Sequence, residues 1–232
     1  MPGVLSQKVI DIGHRTWDIG QKNMFVDRRE AGRKLAAELL EYKGKDAVVV
    51  AIPRGGVVVA DEVARELNCS LDLIIPRKIG APGNPELAIG AVAGAGKVII
   101  NENLKYGLGV SDGYLDEEIK RQLKEIERRR GMYFGGKPPT GFKDKTVILV
   151  DDGLATGYTA TAAVSAIREE RPREIILAVP VAPRDTCQAL SKKVDKMICL
   201  SAPEMFYAVG QFYQDFSQTT DNEVIEILSK YR

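Results

Sequence analysis

Two adjacent carboxylates, Asp151 and Asp152, follow an apolar run and precede a turn rich in glycine and threonine. The stretch 146–169 reads TVILVDDGLATGYTATAAVSAIRE. Carboxylates accept hydrogen bonds from hydroxyl groups, so this pair can hold the vicinal hydroxyls of a sugar. The turn GLATGYT can wrap around a phosphate, because its glycines allow backbone N–H groups to converge at a helix N-terminus. The pattern therefore predicts a sugar-phosphate site.

Three other phosphate-handling motifs fit less well. A P-loop has a lysine after the second glycine of its motif, where this chain has Tyr158. The GAG stretch at 94–96 lacks the third glycine of a dinucleotide fingerprint. A response-regulator pocket needs a phospho-acceptor Asp at the end of a later strand, whereas the strands predicted after Val150 end at Pro180 and Leu200.

One histidine and three cysteines restrict the remaining chemistry. A zinc site of the HExxH type needs two imidazoles, and Cys69, Cys187 and Cys199 show no CxxC spacing. His14 lies in a glycine-flanked stretch, and the sequence has no nucleophile elbow, so a Ser-His-Asp triad is not expected. The cysteine pattern indicates a reducing compartment and three buried, hydrophobic thiols.

Strands alternate with helices along the chain, which is typical of a mainly parallel open sheet flanked by helices. The predicted strands are 47–52, 71–76, 146–150, 174–181 and 194–200, with a hairpin formed by 87–92 and 98–100. The predicted helices are 27–42, 57–67, 111–130, 159–170, 185–193 and one that starts at 221, with N-caps at Asp27, Ser111 and Asp221. The α/β pattern places the acid pair at the carboxyl end of a strand, where such sheets bind ligands.

Charge and hydropathy exclude some partners. The 33 basic and 32 acidic residues leave a net charge of +1, which argues against nucleic-acid binding by bulk charge. No apolar run reaches the roughly 18 residues of a membrane helix, and the N-terminal sequence lacks a signal-peptide core. These features predict a cytoplasmic protein with no membrane and no nucleic-acid partner.

The segment VILVDDGLATGYT at 147–159 resembles the phosphoribosyl-diphosphate (PRPP) binding motif of type I phosphoribosyltransferases. Two further segments stand in that family's order. IPRGGVVVADEVARELN at 52–68 is similar to its pyrophosphate loop and following helix, and IIPRKIGAPGNPELAIGAV at 74–92 to a strand that enters a mobile catalytic loop. The resemblance covers about 26–200 and is strongest to a group of phosphoribosyltransferases without an assigned acceptor.

The resemblance implies one domain over 1–232, with a core at 26–200, a helical insertion at 111–135 and a small hood formed by 1–25 and 201–232. It also implies transfer of ribosyl 5-phosphate from Mg-PRPP to a nitrogenous base, a purine or pyrimidine, with release of pyrophosphate, as in nucleotide salvage. Mg²⁺ would be held mainly by PRPP and water, with no direct protein ligand.

Site roles follow from the same resemblance. Asp151 and Asp152 would contact the ribose hydroxyls, and Arg54 and Gly55 would bind pyrophosphate. The 5-phosphate would be bound by Ala155, Thr156, Gly157, Tyr158 and Thr159.

A loop rich in glycine and proline follows the second predicted strand. Its Arg77 and Lys78 would bring positive charge to the leaving pyrophosphate as the loop closes and excludes water. Glu86 is a candidate proton donor or acceptor toward the base, with a solvated side chain as the alternative interpretation.

The acceptor is only partly constrained. Ala155 stands where 6-oxopurine transferases usually carry an Asp that faces the purine, so a hypoxanthine or guanine acceptor loses its usual proton acceptor. The hood candidates are Phe206, Gln211, Phe212 and Tyr213, whose rings could stack on a flat base while the amide reads its edge. The alternative is that these rings only pack the tail onto the domain.

The predicted helix 111–130 carries acidic and basic residues at helical spacing, which favours a solvated, salt-bridged face. Its apolar stripe is Leu115, Ile119, Leu123 and Ile126, which could pack on the core or on a second subunit. Many members of the family dimerise, and symmetric dimers are the commonest oligomers, so a homodimer is expected.

Two alternatives to a transferase remain open. A non-catalytic protein of this fold could sense PRPP or a nucleotide, since fold alone does not establish activity. The cationic loop argues against this alternative, and the short stretch before the first helix leaves no room for a DNA-binding appendage. A phosphatase or phospho-acceptor domain that uses the Asp pair predicts an aspartyl phosphate and indifference to PRPP.

Overall fold

The computed structural model describes residues 25–135 and 141–231. Within these ranges the helices are α1 Arg28–Ala37, α2 Gly55–Leu67, α3 Glu102–Gly107, α4 Asp112–Phe134, α5 Tyr158–Glu169, α6 Arg184–Ser191 and α7 Asp221–Ser229. The strands are β1 Ala47–Ala51, β2 Ser70–Leu73, β3 Arg77–Ala81, β4 Asn84–Ala93, β5 Lys97–Ile100, β6 Thr146–Val150, β7 Glu174–Val181 and β8 Lys196–Ser201. None of the helices in the described ranges has an apolar stretch that could span a bilayer.

Five parallel strands form the central sheet in the order β2-β1-β6-β7-β8. Helices cover both faces, and the side chains of β1 alternate between them: Val49 and Ala51 pack on the α2 side, whereas Val48 and Val50 pack on the α5 side. Burial on both faces explains the uninterrupted apolar runs of β1 and β6. The predicted α/β fold with a parallel sheet is confirmed.

A second sheet of three antiparallel strands, β3-β4-β5, lies where the sequence predicts a strand that enters a mobile loop. The predicted strand 71–76 is wrong at its end, because β2 stops at Leu73 and a new strand starts at Arg77. Gly83, with φ +73°, turns the chain between β3 and β4. A Cβ on Gly80 would lie 2.7 Å from the backbone of Pro85, so glycine lets these strands approach at their irregular pairing. The predicted hairpin of 87–92 with 98–100 is confirmed.

Helix α4 packs on this second sheet. Leu115 and Ile126 are buried in the same apolar cluster as Ile79 and Ile89, and the rest of the stripe packs against it. The outer face has the expected ion pairs between carboxylates and arginines one turn apart, among them Glu125 with Arg128 at 2.7 Å. The apolar stripe thus belongs to the core of its own chain.

Side-chain caps define several helix ends. The Asp27 side chain accepts a hydrogen bond from the N–H of Glu30, and Ser111 does the same for Tyr114, as predicted. The predicted cap at Asp221 is wrong, because Thr220 caps α7 in a reciprocal capping box with Glu223. Helix α1 also ends earlier than predicted, at Ala37, and a short 3₁₀ turn at Leu40–Tyr42 follows.

Candidate active site

The acid pair lies at the carboxyl edge of the central sheet, directly after β6. Asp151 and Asp152 are both half-buried, and the Asp152 N–H donates to Asp151 Oδ1 at 2.8 Å. Burial, followed by the charge of Asp152, raises the pKa of Asp151 well above its usual range. Burial also raises the pKa of Asp152, although the positive charge of Arg28 opposes that shift. The pair is therefore a desolvated acceptor site for hydroxyl groups.

The PRGG turn between β1 and α2 packs directly on the acid pair. A Cβ on Gly55 would lie 1.9 Å from Asp152 Oδ2, and a Cβ on Gly56 would lie 2.9 Å from the Asp151 Cα. Glycine is required at Gly56, where the contact is with backbone, and any larger residue at Gly55 would displace the Asp152 carboxylate. The Pro53–Arg54 peptide bond is cis, and the Arg54 side chain lies 3.7 Å from the carboxylate of Asp221 at the start of α7. Arg54 and Gly55 thus occupy the edge of the sheet on which the carboxylates lie.

The predicted phosphate loop follows the acid pair and leads into α5. Gly157, with φ +74°, precedes the first residue of that helix, so the N–H groups of its first turn face the loop. Thr186 of α6 donates to the carbonyl of Ala155 at 2.8 Å, which anchors the loop to the next helix. Ala155 and Thr156 are exposed, whereas Tyr158 and Thr159 are half-buried in the first turn of α5. This arrangement can bind an anion through backbone donors.

The structure separates Arg77 from Lys78, which the sequence analysis placed together on a closing loop. Both lie on β3, and neighbouring residues of a strand face opposite sides. Arg77 donates to Gln122 of α4 at 3.0 Å, and burial followed by the charge of Arg129 lowers its pKa. Lys78 is exposed and pairs with Ala91, which packs toward α5. Glu86 falls within β4, and its side chain lies outside the described part of the structure.

The predicted hood is represented by the C-terminal tail, residues 203–220; residues 1–24 lie outside the described ranges. Phe206 packs on Phe212 with ring centroids 5.4 Å apart. Tyr213 is 3% exposed, and its hydroxyl donates to the carbonyl of Asp152 at 2.6 Å. These rings therefore build the tail and attach it to the acid pair.

Gln211, the fourth hood candidate, also forms its side-chain hydrogen bonds within the tail. Its side-chain oxygen accepts from the N–H groups of Tyr207 and Ala208, and its amide nitrogen donates to the Met205 carbonyl at 3.3 Å. Two large hydrophobic residues of this turn, Met205 and Tyr207, are 61% and 82% exposed. Because the Gln211 amide is engaged within the tail, the exposed Tyr207 ring is the better candidate for a contact outside it.

Sequence reasoning missed Arg28, the first residue of α1. Its Nε donates to Asp152 Oδ2 at 2.7 Å, and the two side chains are 10% and 15% exposed. The only local signal was the N-cap at Asp27, which fixes where α1 starts but not which carboxylate its first side chain meets.

The chain is similar in sequence to known proteins. The sequence profile of the phosphoribosyl transferase domain matches residues 26–217. A Mycobacterium tuberculosis protein, named a phosphoribosyl transferase with no acceptor specified, is 39% identical over 207 residues, which is 89% of this chain and 47% of that protein. The chain thus spans about half the length of the curated relatives it first matches.

Two further similarities are informative. The crystal structure of TT1426 from Thermus thermophilus is 43% identical, covers 89% of this chain and 98% of its own, and superposes with a TM-score of 0.75. A uracil phosphoribosyltransferase of Lactobacillus gasseri is 30% identical over 145 residues, or 60% of this chain and 65% of that protein. Together with the domain match, these similarities show that the chain belongs to the phosphoribosyl transferase family, whose enzymes carry out pentosyl transfer of the glycosyltransferase type.

Proposed function

We propose that this chain transfers ribosyl 5-phosphate from Mg-PRPP to a nitrogenous base and releases pyrophosphate. The observation that carries the proposal is the contact between the PRGG turn and the acid pair, where a Cβ on Gly55 would lie 1.9 Å from Asp152 Oδ2. A pyrophosphate loop and a ribose-binding pair must meet in this way, because pyrophosphate and ribose share one glycosidic oxygen in PRPP. The phosphate loop before α5 supplies the third contact.

Each part of the site has a defined task in this reaction. The bond between C1 of the ribose and the pyrophosphate oxygen breaks, and a bond from C1 to the base nitrogen forms. The sugar passes through an oxocarbenium-like state, so its position must be held while charge builds on the leaving group. Asp151 and Asp152 would hold the two hydroxyls, the first turn of α5 would hold the 5-phosphate, and Arg54 would stabilise the pyrophosphate.

The donors present are compatible with a substrate-bound Mg²⁺. The half-buried acid pair would accept hydrogen bonds from the ribose hydroxyls, which leaves the ion to the hard oxygens of PRPP and water. The described residues contain no group of three or more His, Cys, Asp or Glu that could form a protein-only metal site. Mg²⁺ held by PRPP and water would neutralise charge on the departing pyrophosphate.

The acceptor is proposed to be a purine or pyrimidine, and the proposed setting is nucleotide salvage in the cytoplasm by a homodimer. Ala155 is exposed at the loop and has no ionisable group to accept a purine proton. The similarity to a uracil phosphoribosyltransferase supports including pyrimidines in the search. The bases tested as acceptors must therefore include both purines and pyrimidines.

One observation favours a second candidate, a PRPP or nucleotide sensor without transferase activity. Arg77, one of the two cations expected to reach the leaving group, is held against α4 by Gln122. A sensor requires the acid pair and the phosphate loop, but it needs no cation that stabilises a leaving pyrophosphate. The two functions differ in one measurable product, which is pyrophosphate.

Titration calorimetry with PRPP, with and without Mg²⁺, tests the site. We expect Mg²⁺-dependent binding that is lost in Asp151→Asn/Asp152→Asn. The matched control is Asp116→Asn/Glu117→Gln, an adjacent and exposed acidic pair on α4, which should bind as the wild type does. Pyrophosphate release with a panel of bases then separates transferase from sensor, and absence of PRPP binding to the wild type would refute both.

A further inference from the structure

Arg28 contacts two parts of the molecule at once. Besides its bond to Asp152, its guanidinium donates to the carbonyl of Ser217 at 2.8 Å and lies 3.8 Å from the centroid of the Phe216 ring. The planar guanidinium offers donors in several directions, so a single arginine can satisfy both partners. Residues 216 and 217 of the tail are thereby attached to a site carboxylate by a side chain that is 10% exposed.

Tail residues 212, 214 and 215 form backbone hydrogen bonds with the residues just before Arg28. The N–H of Phe25 donates to the Phe212 carbonyl at 3.0 Å, and the N–H of Gln214 donates back to Phe25 at 2.9 Å. The N–H of Asp215 donates to the Val26 carbonyl at 2.9 Å. These bonds fix the direction of the tail, while Arg28 and Tyr213 connect it to Asp152.

We propose that Arg28 is a positioning residue that couples the order of tail residues 212–217 to the orientation and charge of the Asp152 carboxylate. The proposal rests on the proposed function only for the identity of the ligand, PRPP. Coupling of this kind is reciprocal, so a ligand that engages Asp152 alters the tail, and a change in the tail alters affinity at Asp152. Because the tail carries the hood candidates for the acceptor base, Arg28 would link the ribose end of the site to the acceptor end.

The charge on Arg28 has a specific effect at this position. The titratable groups that face Asp152 are Asp151 just after β6, Arg28 from α1 and Tyr213 from the tail. Burial opposes ionisation of Asp152, whereas Arg28 favours it. Removing the guanidinium therefore shifts protonation of the carboxylate to higher pH.

The test uses Arg28→Met, Arg28→Lys and the control Arg29→Met. Arg29 is the next residue of α1, and its guanidinium forms ion pairs with Asp61 and Glu62 of α2. Hydrogen exchange of the Gln214 and Asp215 amides is measured first, without any ligand. We expect exchange about tenfold faster in Arg28→Met, in keeping with loss of a charged hydrogen bond, and unchanged in Arg29→Met.

The second readout is PRPP affinity as a function of pH. Arg28→Met should bind PRPP about ten- to a hundredfold more weakly at neutral pH, with the acidic loss of binding moved to higher pH. Arg28→Lys should restore most of the pH profile because it restores the charge, yet leave exchange of the tail fast because an ammonium lacks the planar fork. A purely structural residue would not shift the pH profile.

A fourth variant, Phe216→Leu, tests the coupling by a change in the tail and leaves every proposed substrate-binding residue unchanged. We expect it to speed exchange at Gln214 and to weaken PRPP binding. Unchanged tail exchange in Arg28→Met and Phe216→Leu would overturn the coupling whether or not PRPP binds. Failure of the wild type to bind PRPP would instead refute the proposed function, while the exchange data still decide the coupling.

Discussion

At the scale of single residues, the site is defined by how closely its backbone segments approach. Gly55 and Gly56 lie so close to the acid pair that a Cβ added at either position would clash with it. Both belong to the PRGG turn, and the sequence of that turn does not reveal this contact. The same approach desolvates the carboxylates, which is why the pKa values of both are raised. Close packing and perturbed ionisation thus have one cause.

Gly55→Ala should abolish PRPP binding, because its methyl group would displace the Asp152 carboxylate. The control is Gly113→Ala in α4, where a Cβ meets nothing within 4 Å. That change should leave binding intact and stabilise the fold by about 0.5–1 kcal/mol, the usual gain of alanine over glycine in a helix. Calorimetry with PRPP and thermal unfolding check both variants, and tight binding by Gly55→Ala would contradict the geometry.

Asp151→Asn should make the ligand-free protein more stable near pH 7 while it removes PRPP binding. The pKa of Asp151 is raised in the folded state, so the folded protein binds more protons than the unfolded chain between the two pKa values. Stability from this group is complete below the ordinary pKa and falls as pH rises through the raised one. Unfolding measured from pH 3 to 8 should show the variant's advantage growing with pH.

At the scale of elements, the second sheet separates the two cations that the sequence predicts near the leaving group. Strand β3 turns Arg77 toward α4 and leaves Lys78 exposed on the other face. A loop would have allowed both side chains to act together. The division of roles follows from the period of two along a strand.

Arg77→Met should destabilise the protein by about 1–3 kcal/mol, because Gln122, which is 7% exposed, loses its charged partner. Lys78→Met should change stability by less than about 0.5 kcal/mol, as expected for an exposed residue. Denaturant unfolding measures the difference between the two variants. If pyrophosphate release falls only in Lys78→Met, the catalytic cation is Lys78; equal stability of the variants would contradict the packing of Arg77.

At the scale of the whole molecule, α4 is part of the core and not a free face. Its residue Ile126 is 1% exposed and packs in the cluster that joins both sheets. The expected homodimer must therefore use a surface other than this stripe.

Ile126→Ala should cost about 2–5 kcal/mol of unfolding free energy, the usual penalty for a cavity in a core. The comparison variant is Leu108→Ala, since Leu108 is 48% exposed and should cost little. Analytical ultracentrifugation of both variants below their unfolding temperatures should show an unchanged oligomeric state. Dissociation caused specifically by Ile126→Ala would place the stripe in an interface.

Much of the scaffold could be predicted from sequence because local patterns determine it. The apolar runs of β1 and β6 can be buried only in a two-sided parallel sheet, and Asp27 and Ser111 are caps that act within one helical turn. The DDGLATGYT stretch placed two carboxylates at a strand end for the same local reason. The cap at Thr220 was missed because it and Asp221 are both good capping residues.

Contacts between residues far apart in the chain could not be predicted from the sequence. The Arg28–Asp152 ion pair joins residues 124 positions apart, and Tyr213 reaches Asp152 across 61 positions. No periodicity encodes such pairs, since they depend on how α1, β6 and the tail meet at one edge. The proposed chemistry of the site comes from the sequence alone, because it rests on the residue types and spacing within one loop. The packing of the chain placed Arg77 against α4, left Lys78 exposed and bound the tail rings to one another, none of which local spacing encodes.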